Sequence, residues 1–262
     1  MDILQVVQPN YMKKLWLPVL LALYAVPLFA QDNNIGTLIL MDEQMNETRL
    51  MDSAKYFLNI RKLNDTTWRH DYYQLTGPRW RSETFIDEDG SKAHGRFAFY
   101  NKKGFLDSVG DAFNGRRHGT WYFYEPGKVA PKMIGYKEYD HGRLVKEKDL
   151  RIKEEDTDDD KDVFKEAIFK GNFKKFLEEN LQFPKRAISL DLGDVVTVDF
   201  VVDAQGNVTD PLVVRSIEVS LDRESERMIL LSSGRWKPAT LNKESVKSYH
   251  QQPFNYALIE ED

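Results

Sequence analysis

The chain has 262 residues, with 37 Lys+Arg, 42 Asp+Glu, no cysteine and 41% hydrophobic residues. Those fractions describe a globular chain, and the lack of cysteine excludes disulfide scaffolds, Cys-ligated metal sites and thiol nucleophiles. The net charge of −5 resides in residues 153–162 (KEEDTDDDKD), and the 35 acids and 35 bases elsewhere leave no basic footprint for nucleic acid.

In chain order, Lys13 and Lys14 precede an apolar run, residues 15–30 (LWLPVLLALYAVPLFA). As a helix it would reach about 24 Å, short of the roughly 30 Å hydrocarbon core of a bilayer. Pro18 and Pro27 interrupt it further. A basic flank, a short apolar stretch and Ala30 before Gln31 read as a secretory signal peptide, residues 1–30, with Met12 the better start. The protein is thus expected in the periplasm. An uncleaved inner-membrane anchor facing the periplasm remains the alternative.

Residues 31–150 are expected to form a first domain. Residues 51–59 (MDSAKYFLN) are read as a helix. After Asp71 the pattern becomes short aromatic strands, and His94-Gly95, His118-Gly119 and His141-Gly142 recur at spacings of 24 and 23 residues. A fixed period of this size indicates stacked supersecondary units, with glycine at each return supplying the backbone of a tight hairpin. The expected product is an antiparallel meander with an exposed aromatic face made by residues 97–100 and 121–124. Residues 110–124 (GDAFNGRRHGTWYFY) and 135–142 (GYKEYDHG) resemble the MORN family of repeats, which implies the meander and is almost silent about function.

The three histidines raise the question of a metal. Side chains two strands apart lie about 10 Å from each other, so they are read as turn residues and no metal is expected. Residues 156–167 place acids at positions 1, 3, 5 and 7 of a calcium loop, but Lys161 replaces the glycine at position 6 and Ala167 the glutamate at position 12. Residues 151–162 are therefore read as an acidic solvated linker.

A second domain is expected over residues 163–262. Residues 172–180 carry Phe173, Phe176 and Leu177 at helical spacing. Residues 195–203 alternate as a strand, with Val196, Val198, Phe200 and Val202 on one face and Thr197, Asp199 and Asp203 on a solvated one. Residues 204–207 make a hairpin turn to a strand over 208–217, and Ser220 is read as the cap of a helix over 221–232. Residues 246–258 form the last strand, with Pro253 marking an edge.

This order and its residues resemble the carboxy-terminal domain of TonB, the periplasmic energy transducer. The match runs over about residues 173–258: Phe183-Pro184, Ala187, Gly193, the turn from Asp203 to Val208, Arg215-Ser216, Leu221-Asp222, and residues 235–239 (RWKPA). Proteins of Bacteroidetes-type bacteria that carry MORN-like repeats ahead of such a domain look similar throughout. The expected fold class is α+β, a MORN-like antiparallel β-meander followed by a TonB-like αββαβ domain with a three-stranded antiparallel sheet.

The resemblance implies binding of a short extended segment of an outer-membrane TonB-dependent receptor by strand addition, in which main-chain hydrogen bonds give affinity and alternate side chains give selectivity. The contact residues it implies are Val246, Lys247, Ser248, Tyr249, His250, Gln251, Gln252, Phe254 and Tyr256; the alternative is that these residues only complete the sheet. Inner-membrane motor proteins are partners only if residues 15–30 are retained. Those residues lack the polar Ser and His of the TonB anchor, the Pro-rich spacer is absent, and Asn242-Lys243 stands where the family often has Asn-Gly. The second reading is an envelope scaffold acting through the aromatic face of the meander. No catalytic motif of a hydrolase, P-loop enzyme, zinc enzyme or dinucleotide enzyme is found, so neither enzyme activity nor a cofactor is expected.

Overall fold

The computed structural model describes residues 36–151 and 163–257. The expected signal or anchor segment, the acidic run at 153–162 and most of the rejected calcium loop lie outside the described residues. The described chain divides into two units, residues 36–126 with 132–151 and residues 127–131 with 163–257. The architecture is α+β and mostly β.

Unit 1 is one antiparallel sheet whose nine strands lie in sequence order. They are β1 (Thr37–Met41), β2 (Tyr56–Asn64), β3 (Thr67–Gln74), β4 (Arg79–Phe85), β5 (Ala93–Tyr100), β6 (Leu106–Phe113), β7 (Arg116–Glu125), β8 (Lys132–Asp140) and β9 (Arg143–Asp149). Two returns are two-residue turns with positive φ at both positions, Asn114-Gly115 (49° and 72°) and His141-Gly142 (49° and 91°). Such turns match the right-handed twist of the strands they join. The other two His-Gly pairs are not turns. Gly95 and Gly119 sit inside β5 and β7, where the pairing slips opposite Glu83/Phe85 and Val109/Asp111. The period therefore marks two bulges and one hairpin.

Three sequence expectations are corrected in this unit. First, residues 51–59 are not a helix: a single 3-10 turn, Met51–Ser53, leads into β2. Phe57 stacks on Tyr73 (5.2 Å, 8°), while Leu58 and Ile60 pack with Met41 and Tyr72. A strand buried on both faces shows a continuous apolar run, which periodicity alone does not separate from a helix. Second, the aromatic face is not exposed. Phe97 and Trp121 are fully buried, and Tyr122, at 40%, is the most exposed aromatic of the two runs. Cationic side chains lie over many rings: Arg117 is 4.6 Å from the centre of Trp121 and Arg81 4.8 Å from that of Tyr72. Each such contact contributes about 0.5–1 kcal/mol where partly exposed. Trp121 also lies across Gly110, where a Cβ would sit 2.4 Å from its Cγ. Third, the His118 and His141 rings are 4.6 Å apart, far less than 10 Å, because the turn folds back beside β7.

In unit 2, β10 (Phe164–Lys165) and β11 (Ile168–Phe169) precede α1 (Phe173–Asn180), whose Asn172 side chain accepts from the Lys175 amide at 3.0 Å. Pro184 then opens α2 (Lys185–Ser189), a short helix the sequence reading passed over. The main sheet has the order β13–β12–β17, from β12 (Val195–Val202), β13 (Val208–Arg215) and β17 (Ser248–Asn255). Helix α3 (Val219–Leu231) packs on β12 and β13. Val196, Val198, Phe200 and Val202 of β12 join Leu221, Met228 and Trp236 in the core. The cap of α3 is Glu218, whose carboxylate accepts from the Ser220 amide, and Ser220 lies inside the helix.

The last strand is shorter than expected. After β14 (Trp236–Lys237), β15 (Ala239–Leu241) turns through Asn242-Lys243 into β16 (Glu244–Val246), and β17 begins only at Ser248. Asn242 and Lys243 both have positive φ, 51° and 76°. A side chain in this left-handed region costs about 1–2 kcal/mol, part of which glycine loses again through chain entropy. Lys243→Gly is therefore expected to stabilise the protein by about 0.5–1 kcal/mol. A rise of about 2–4 °C in thermal midpoint checks this.

Candidate functional site

A sheet edge is a row of backbone donors and acceptors waiting for a partner, and natural proteins guard the edges they do not use. The β13–β12–β17 sheet of unit 2 has two edges. Along β13 the pairing with β12 slips twice, Asp210 has φ 54°, and Pro211 follows it. That edge is bent and short of donors. By contrast, β17 runs against β12 without a slip through eight pairs, from Val195–Asn255 to Val202–Ser248. Among the described residues no strand pairs with its other side. Pro253 interrupts it at one position, opposite Thr197.

The side chains of β17 alternate. Tyr249 is 75% exposed, and Gln251, Pro253 and Asn255 are also exposed. Ser248 and Phe254 are buried, with His250 and Gln252 half-buried. The His250 ring lies against Phe200 (5.5 Å) and Trp236 (5.4 Å), its Nε2 is 2.8 Å from Ser248 Oγ, and burial pushes its pKa down. It is therefore an uncharged support for the strand at neutral pH. Gln251 donates to Asp199 Oδ1 of β12 at 2.7 Å.

The nine residues drawn from the sequence thus fall into three groups. Tyr249, His250, Gln251 and Gln252 lie in the edge strand with side chains at least partly accessible. Ser248, Phe254 and Tyr256 face inward, and the Tyr256 hydroxyl meets Ser225 Oγ at 2.9 Å in a buried pair. Val246 ends β16, half-buried against the core, and exposed Lys247 links it to β17. Two exposed edge residues, Pro253 and Asn255, were passed over, although strict alternation from Tyr249 points to both. Alternation alone places Asp199 on a solvated face, but burial raises its pKa to about 6 against the opposing hydrogen bond from Gln251.

Residues 179–258 match the family described as Gram-negative bacterial TonB protein C-terminal. Unit 2 carries a TonB C-terminal domain. The match begins near the end of α1 and takes in all of β17. The TonB C-terminal domain is a protein-interaction module that meets outer-membrane receptors, in proteins of the periplasm or envelope. No curated protein and no solved structure matches the chain. Among the described residues no helix is long and apolar enough to cross a membrane.

Proposed function

We propose that the TonB C-terminal domain binds an extended segment of an outer-membrane receptor as an added strand along β17. The observation that carries this reading is the edge itself, unslipped and unpartnered in a sheet whose other edge is broken. Backbone pairing would supply most of the affinity, and the exposed alternate side chains, Tyr249 first, the selectivity. Tyrosine offers a large contact area for two torsions and is a frequent binding hot spot.

Titrating the chain with peptides from receptor amino-terminal segments tests the proposal. Amide signals of residues 248–255 other than Pro253 are expected to shift while those of 208–215 other than Pro211 stay in place. No binding across the organism's full receptor set overturns it. Tyr249→Ala is expected to weaken binding about tenfold, or about 1.4 kcal/mol, at unchanged thermal midpoint, because the side chain is 75% exposed.

Coupling to an inner-membrane motor requires residues 15–30 to remain as an anchor. Amino-terminal sequencing of the exported protein decides this, since a start at Gln31 rules out direct coupling. We read unit 1 as MORN-like repeats that accompany the binding domain. The scaffold reading rested on an exposed aromatic face, and the burial of Phe97 and Trp121 removes that support.

A further inference from the structure

Unit 1 holds a cluster of side chains that the TonB reading does not use. His118 of β7 lies one register step beyond the Gly119–Tyr139 pair, and so opposite Asp140, the last residue of β8. His141 follows in the turn. One ligating atom from each of His118, Asp140 and His141 lies within 4.8 Å of the others. We propose that these three residues bind one divalent transition-metal ion of the zinc or nickel class.

The donor set selects the ion. Two imidazoles and one carboxylate suit zinc, nickel and copper, whereas calcium and magnesium take oxygen ligands throughout. Three protein ligands leave positions for water, as in open zinc sites.

The backbone holds the donors in place. The Gly142 amide donates to the Arg117 carbonyl at 2.7 Å, tying the turn to β7. Asp140 Oδ1 lies 2.7 Å from His141 Nδ1. An ion would take the place of the proton between these two atoms, with His141 ligating through Nδ1 and keeping its ring proton on Nε2. The His141 amide reaches His118 Nδ1 only at 3.4 Å, a long contact that costs little to give up. Arg143 competes for Asp140 Oδ2 at the same margin, 3.5 Å. Phe113 stands edge-on to His141 (5.4 Å, 89°) and closes one side of the group.

Turn geometry alone does not call for a histidine here. The β6–β7 turn has the same two positive φ values and uses Asn114-Gly115, the ordinary choice for such a loop. His141 brings a ligand to a position that asparagine fills next door. His94, which packs on Phe113 at 5.2 Å, is outside the group of three and serves as the internal control.

The test is calorimetric titration of the untagged chain with zinc chloride and, separately, nickel chloride. One ion per chain is expected. His118→Gln and His141→Asn should each weaken binding about tenfold or more, and His94→Gln should leave it unchanged. His141→Asn keeps a residue that already serves the sister turn, so the metal-free far-ultraviolet spectrum and thermal midpoint should match the parent. Absence of saturable one-to-one binding overturns the proposal, as does parental affinity in both the His118 and His141 variants.

Discussion

Replacing Glu218 with alanine is expected to destabilise the TonB C-terminal domain by about 3–5 kcal/mol, the range for breaking a buried ion pair from one side. Glu218 is fully buried at the start of α3. One carboxylate oxygen accepts from the Ser220 amide at 2.7 Å and from its hydroxyl, and the other accepts from Arg186 Nε of α2. The Arg186 side chain is itself only 9% exposed. Alanine removes the helix cap, worth about 1 kcal/mol, and takes the Glu218 carboxylate away from a buried guanidinium. Glu218→Gln keeps one acceptor, for Ser220, but turns its NH2 donor toward Arg186, so it retains the cap and loses the ion pair, and should cost about 1 kcal/mol less than alanine. Urea unfolding followed through the amide signals of β12 measures both. A shift below about 1 kcal/mol for the alanine variant would mean that α2 and α3 are not held by this pair.

Ser220 illustrates what sequence patterns reveal and what they hide. A serine before an apolar run is an ordinary cap signal, and the helix was found on that basis within two residues. The cap itself was missed because glutamate rarely serves as one, and only its burial against Arg186 makes it the better acceptor here. β12 was legible because its alternation is clean and one face is apolar. β2 was not, because both its faces are buried and the alternation vanishes.

The same contrast holds at the candidate site. The existence of an edge near residue 250 followed from Pro253 and the chain order, but treating residues 246–256 as one continuous surface ignored the pleat, which turns Ser248 and Phe254 inward. Asn242-Lys243 was seen as a departure from Asn-Gly. That it turns a hairpin, and so ends β16 at Val246, depends on positive φ at both positions, which Asn242 suggests and Lys243 does not. His118 and His141 were separated on an average strand spacing that does not apply where a turn bends back onto its neighbour.

Asp199→Asn is expected to stabilise the protein by about 3 kcal/mol at pH 7.5 and to leave it unchanged near pH 3.5. Burial raises the carboxyl of Asp199 from about 3.8 to about 6 in the folded chain, with the hydrogen bond from Gln251 opposing the shift. Below the unfolded value both states hold the proton and the residue costs nothing. Between about pH 4 and pH 6 the unfolded chain releases a proton that the folded chain keeps, so stability falls as pH rises, by about 1.4 kcal/mol per unit. Above the folded value both states are ionised and the full penalty, about 3 kcal/mol, is present. Asparagine cannot ionise, yet it keeps a carbonyl for the Gln251 amide, so the variant removes the penalty and preserves the contact. Parent and variant stabilities measured by urea titration should coincide in acid and diverge across this window. A constant difference at every pH would place the cost of Asp199 in packing instead. Because Gln251 belongs to β17, the contact that feels this proton lies within the strand on which the proposed receptor segment would pair.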